Sequence, residues 1–208
     1  MNLWFNTVHS RSMRVSDMIS KIFIVEGIDN VGKGTLIESI ITNIGFHQII
    51  KFDKPKKCKP YNNSLKTYQE ESFLNSFSLL SSLLRPGMPT PPRLIFDRFH
   101  LGELVYSPLY RGYSGDYVFS LEKSSIGNIG PIASANIRLI LLTADQPELL
   151  PDDGKSFDPT KAHSEQSMFI DGFKQSCIKN KVMVQVQNPD GSFKDPNRIF
   201  EEAVGISV

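Results

Sequence analysis

Residues 22–35 read IFIVEGIDNVGKGT, and Gly27, Gly32, Lys33, Gly34 and Thr35 within them are of the types and spacing that suit one chemistry. Glycines let backbone N–H groups converge on phosphate oxygens with no Cβ in the way. A helix starting just after them adds partial positive charge at its N-terminus. Lys33 supplies a mobile cation for phosphates in transfer, and Thr35 a hydroxyl near Mg2+. A bare GxxxxGK pattern also occurs by chance, as a turn joining a strand to a helix. Here the apolar run Ile22 to Val25 precedes it as a short buried strand, and Ile37, Ile40, Ile41 and Ile44 follow at helical spacing. Strand, glycine-rich turn and helix together predict a phosphate-binding loop.

A second group with chemical potential is Asp97-Arg98-Phe99, which closes another apolar run. Alone, an Asp-Arg pair reads as a surface ion pair. Downstream of a phosphate loop and at the C-terminal end of a strand, it falls at the ligand edge of a parallel sheet. There Asp97 can orient a Mg2+-bound water or a substrate hydroxyl, and Arg98 can grip a phosphate through two parallel hydrogen bonds. A lysine series, Lys51, Lys54, Lys56, Lys57 and Lys59, follows the second apolar run. Most of it reads as a solvated face, with Lys54 or Lys57 the candidate for a phosphate contact. No aromatic residues interleave the lysines as a nucleic-acid patch would require.

The elements that must position these residues alternate. Strands are predicted at 22–25, 48–52, 93–96, 137–142 and 181–186. Helices are predicted at 33–43, 65–84, 101–106 and a little beyond, 117–124, 163–179 and 197–204. Such alternation predicts an α/β protein with a parallel sheet of about five strands covered by helices on both faces. Phe73, Phe77, Leu80 and Leu84 mark one face of the long second helix. Residues 86–92 carry four prolines and a glycine and read as a stiff turn; 150–160 is polar and reads as a mobile, lid-like loop.

At 208 residues the chain reads as one domain spanning 18–208, after a 17-residue extension that is expected to be poorly ordered, with Met18 a natural alternative start. A net charge of +1 gives no argument for a nucleic-acid or membrane partner. The two cysteines, Cys58 and Cys177, belong to no CxxC or Cys/His cluster, which fits a reducing compartment better than a disulfide framework or a zinc site. No apolar run is long enough to span a bilayer.

On these residues the chain resembles the thymidylate kinase family. EGIDNVGKGT resembles that family's EGxDGxGKxT loop, and DRFHLGELVYSPLYRG its DRY segment with the helix after it. The closest resemblance is to the thymidylate-kinase-like enzymes of bacteriophages, which would place the protein in a host cytoplasm. The resemblance implies a doubly wound nucleoside-monophosphate kinase fold. It implies transfer of the γ-phosphoryl group of ATP to a deoxynucleoside monophosphate such as dTMP, with Mg2+. Small nucleotides would be the partners, and a homodimer is possible. Lys33 would hold the donor phosphates, within a cradle of Gly27, Asn30, Gly32, Gly34 and Thr35. Asp29 would contact the acceptor's sugar 3′-hydroxyl, and Arg98 its phosphate. Thr35 and Asp97 would sit at the metal. Phe73 falls where an aromatic ring stacks on the base, Tyr106 where one packs beside the sugar, and 190–195 where a loop contacts adenine.

Four departures from the family pattern stand out. The residue after Lys33 is Gly34, with the hydroxyl one position later, as in adenylate-kinase-like GKGT loops. Phe77 replaces an arginine that reads the pyrimidine edge, so base choice is open. Lysines replace the Pro and Arg after the second strand, which makes Lys54 a substrate-binding candidate. The position of a catalytic arginine in the loop is Asn30, and the lid offers Lys155 and Lys161, which leaves Arg111 as the candidate for that role. Its competing role is to brace its own loop. His100 and His163 read as structural, because phosphoryl transfer onto a phosphate needs no base. Two other readings stand beside this one: a deoxynucleoside kinase acting on a 5′-hydroxyl, with Glu26 as base, and a nucleotide-binding regulatory protein that has lost turnover.

Overall fold

The computed structural model describes residues 20–45, 47–52, 64–85, 92–152, 154 and 157–206. Residues 1–17, Lys54, Lys57, Lys155 and most of the 86–92 turn lie outside them, as does part of the lid-like stretch. Five strands, β1 (Ile22–Glu26), β2 (Gln48–Lys51), β3 (Leu94–Asp97), β4 (Ile137–Thr143) and β5 (Lys181–Gln185), form one parallel sheet in the order β2-β3-β1-β4-β5. The central strands read as continuous apolar runs because both faces are covered: β1 is buried at every position, and β4 at all but Arg138. From β1 the chain runs to the edge strand β2, returns to β3 beside β1, and then crosses to β4 and β5 on the other side. That places the switch of strand order, and the crevice at the strands' C-terminal ends, beside β1.

The helices are α1 (Lys33–Ile44), α2 (Leu65–Leu83), α3 (His100–Tyr110), α4 (Tyr117–Glu122), α5 (Pro131–Asn136), α6 (Ala162–Gln175) and α7 (Pro196–Val204). Helix α1 packs beside α7, and α3 beside α6 and α4. Local signals set several ends. Ser64 Oγ accepts from the Thr67 amide at the start of α2. Asp195 accepts from the Asn197 amide, with Pro196 at the first position of α7. Helix α6 stops at Gln175, short of the expected 179. Lys181 Nζ takes up the carbonyls of Phe173, Lys174 and Ser176 there, and the next residues turn to bond Glu122. Helix α4 runs on as a π-helical turn, Lys123–Gly127. Neither α5 nor the 3-10 turn Pro147–Leu149 has a sequence signal strong enough to anticipate it.

A phenylalanine cluster fills the space between β3, α2 and α3. Phe73, Phe77, Phe96 and Phe99 are all buried, with ring centroids 4.7–5.6 Å apart around Phe99. The core therefore lies directly beneath the Asp97-Arg98 edge and fixes the turn that carries it.

Candidate active site

The turn between β1 and α1 takes the shape its glycines allow. Gly27 lies at φ 139°, and a Cβ there would come within 2.7 Å of the Leu142 carbonyl oxygen, so β4 packs against this bare backbone. Gly32 lies at φ 91° as the N-cap of α1 and leaves the helix N-terminus without a side-chain cap. Free first-turn amides at the mouth of a crevice are anion donors awaiting a partner. Gly32, Lys33, Gly34 and Thr35 line a cavity of about 390 Å³ together with Asn30, Lys51, Asp97, Arg98, Pro151 and Asp152.

Lys33 is buried, and its ammonium turns back to donate to the carbonyls of Gly27, at 2.9 Å, and Ile28. Burial pulls its pKa from 10.5 down to about 8. Arg98 acts in the same direction, while Asp29, Asp97 and Glu26 oppose both. A phosphate in the cavity offers this cation a better partner than two carbonyls. The sequence predicts a lysine pointing into the pocket; here its ammonium is hydrogen-bonded by the carbonyls of its own loop.

Arg98 and Asn30 hold left-handed backbone at φ 65° and 61°, which costs energy at an arginine and clusters at functional turns. The Arg98 turn has two results. Its guanidinium pairs with Asp29, which joins the two motifs the sequence singled out. Its amide, bonded to the Val25 carbonyl at 3.0 Å, sends the chain into α3 directly over Glu26. Glu26 Oε1 then accepts from the amides of Phe99 and Leu101, at 2.9 and 3.0 Å, so a carboxylate from β1 caps α3. Burial raises the pKa of Glu26 despite these bonds and the nearby His100. Its other oxygen has no hydrogen-bond partner among the described residues, and neither has the buried hydroxyl of Tyr106. Burial first, and then Asp29, pushes the Tyr106 phenol upward. Asp29, Arg98 and Tyr106 thus share one polar region at the side of the loop.

Other sequence candidates are placed differently. Phe73 is 2% exposed, and Phe52 stacks on its face with centroids 5.1 Å apart, so no open face of Phe73 awaits a base. Phe77 is fully buried against Phe99 and His100. Arg111 does not line the cavity. Its guanidinium pairs with Glu103, whose buried carboxylate also accepts from Gln69, Tyr113 and Tyr117 at 3.2, 2.9 and 3.0 Å. A buried carboxylate needs a counter-charge, and among the described residues Arg111 supplies it. This pairing is the bracing arrangement that the sequence left beside the catalytic one. His100 is buried with Nε2 3.2 Å from Glu122, and His163 pairs with Glu148 at 2.7 Å on the surface.

Two residues that the sequence did not single out lie at the site or close beside it. Lys51 lines the cavity from the end of β2, in register with Asp97; its place in a lysine-rich run hid it. Glu165, on α6, accepts from the Tyr110 hydroxyl, and its pKa is raised by burial and by Asp29. Only packing of α6 against α3 brings it there. The described residues contain no cluster of three or more His, Cys, Asp or Glu side chains suited to a metal. Thr35 and Asp97 nevertheless present a hydroxyl and a carboxylate to one cavity, an all-oxygen pair that suits a hard cation keeping most of its water. No helix of the described residues is long and apolar enough to cross a membrane.

No family model and no curated protein matches the sequence. Solved structures do match the fold. The YorR protein of Bacillus subtilis, in complex with phosphorylated GDP, is similar at a TM-score of 0.54 and 18% identity, over 79% of this chain and 85% of that one. Thymidylate kinase from Ehrlichia chaffeensis is similar at 0.48 and 15%, over 88% and 96%. Thymidylate kinase from Candida albicans is similar at 0.47 and 15%, over 83% and 87%. Thymidylate kinases are thus among the structural neighbours. The likeness to the YorR protein is one of fold: a five-stranded parallel sheet with flanking helices.

Proposed function

We infer that this protein transfers the γ-phosphoryl group of ATP to a deoxynucleoside monophosphate, with dTMP or a related pyrimidine nucleotide as acceptor. The observation that carries this reading is the convergence of two separate sequence motifs on one cavity. The loop 27–35 supplies Lys33 and an uncapped helix N-terminus, and the 97–98 turn supplies Asp97 and Arg98. Cations on both sides of a space bordered by free amides suit the charge spread of phosphoryl transfer, in which positioning and neutralisation do most of the work.

In this reading Lys33 leaves the Gly27 and Ile28 carbonyls and bonds the donor phosphates. Arg98 keeps one nitrogen on Asp29 and offers the rest of its fork to the acceptor phosphate. Asp29, held by that pair, faces the acceptor sugar beside Tyr106. Lys51 adds a third cation at the cavity wall, the role the sequence reading gave to Arg111. Mg2+ held at Thr35 and Asp97 would neutralise charge on the phosphates. The bonds from two α3 amides to Glu26 Oε1 favour a structural role for this carboxylate over service as base to a 5′-hydroxyl.

The deciding experiment is a coupled assay of ADP release against a panel of deoxynucleosides and deoxynucleoside monophosphates. Turnover of monophosphates, with pyrimidines preferred, is the expected result. Turnover of nucleosides alone would assign the protein to 5′-hydroxyl phosphorylation. Absence of turnover with all of them would leave nucleotide binding without catalysis.

A further inference from the structure

The chain between β4 and α6 descends onto the phosphate loop at a defined point. Asn30 Nδ2 donates to the carbonyl of Pro151 at 2.7 Å, across 121 residues of sequence. Pro151 and Asp152 line the same cavity as Asn30, Gly32, Lys33, Gly34 and Thr35. Just upstream the segment is anchored to the body. Ala144 exchanges two hydrogen bonds of 2.8 Å with the Gln166 amide group, the Gln146 amide bonds Gln187 at 2.9 Å, and Leu150 is buried. Pro151 and Asp152 are exposed and extend from this anchor over the loop.

We propose that Asn30 is a positioning residue whose amide ties the Pro151–Asp152 wall to the phosphate loop, so that one side of the cavity is set before nucleotide arrives. The left-handed backbone at Asn30 explains the residue type. Asparagine tolerates φ 61° better than most residues with a side chain, and it carries a neutral donor. Glycine would adopt the turn equally well but could not make the tie. Aspartate would adopt it too but would set an acceptor against the Pro151 carbonyl. A wall fixed in advance lowers the ordering cost of binding, and the side that benefits is the one bound by the loop.

The tie is tested on the full-length protein without ligand by amide hydrogen exchange of wild type, Asn30→Gly and Asn30→Asp. Exchange at the bonded amides of Leu149 and Leu150 should quicken by about three- to tenfold in both variants, the range a single exposed hydrogen bond supports. Peptides covering 22–28 and 33–40 should exchange as in wild type. Unchanged exchange over 149–152 would overturn the tie. Faster exchange spread equally over β1 and α1 would also overturn it, because Asn30 would then serve only its own turn. A second arm rests on the kinase reading: KM for ATP should rise by about the same factor in both variants, with KM for the acceptor unchanged. A rise in acceptor KM matching that for ATP would count against the tie. If wild type binds no nucleotide, the kinase reading fails while hydrogen exchange still decides the tie.

Discussion

Lys33→Met keeps the length and apolar stem of the side chain and removes only the ammonium. In the free protein that ammonium is buried, with a pKa of about 8 against an ordinary 10.5. The difference corresponds to roughly 3 kcal/mol by which the charged form disfavours the native state. Below pH 8 both folded and unfolded chains hold the proton, and the full penalty is present. Between pH 8 and 10.5 the folded chain releases the proton while the unfolded chain keeps it. Rising pH therefore stabilises the wild type through this window. The variant has no such group. The stability of wild type minus that of Lys33→Met should rise by about 3 kcal/mol from pH 7 to 10.5, most of it by pH 10. Taking the difference cancels tyrosines and other groups common to both. At pH 7 the relieved penalty opposes the lost bonds to the Gly27 and Ile28 carbonyls, so the two proteins should differ by no more than about 2 kcal/mol. Turnover should nevertheless fall by at least about a hundredfold, because developing phosphate charge loses its cation. Denaturant unfolding at a series of pH values, with the ADP-release assay alongside, measures both. Parallel stability profiles for the two proteins would refute the buried-charge account. A variant with activity within tenfold of wild type would refute the role given to the loop.

Arg98→Ala should raise KM for the monophosphate far more than for ATP, by roughly 2–5 kcal/mol in binding terms; equal changes in both would move Arg98 out of the acceptor site. Arg111→Ala should cost about 3 kcal/mol of stability in urea unfolding by stranding buried Glu103, with kcat per folded molecule unchanged. A large fall in kcat without loss of stability would restore Arg111 to the phosphates. Glu26→Gln keeps an oxygen to accept from Phe99 and Leu101, so turnover should stay within about tenfold of wild type, whereas a loss of about a thousandfold or more would mark Glu26 as a base.

The strands, most helices and the glycine turn between β1 and α1 were legible because their signals are local. Gly27 and Gly32 mark backbone that few other residues adopt, Ile37, Ile40, Ile41 and Ile44 recur at the helical period, and β1 and β4 are unbroken apolar runs. Such signals depend on a few consecutive residues and survive without tertiary context. Asp97-Arg98 could be placed at a strand end for the same reason. Its pairing with Asp29 could not, because the two side chains are 69 residues apart and meet only when β3 lies beside β1. The same limit hid the capping of α3 by Glu26, the tie from Asn30 to Pro151, and the arrival of Lys51 and Glu165 at the site. Arg111 and Phe73 show the limit from the other side. Arg111 had the right charge near the right motif, and Phe73 the right ring on the right helix. Burial of Glu103 claimed Arg111, and the face of Phe73 went to Phe52. Sequence determines which chemistries a residue can offer and which backbone it can adopt. Which partner receives them is decided by packing, where an unpaired buried charge or an empty aromatic face costs more than most surface contacts return.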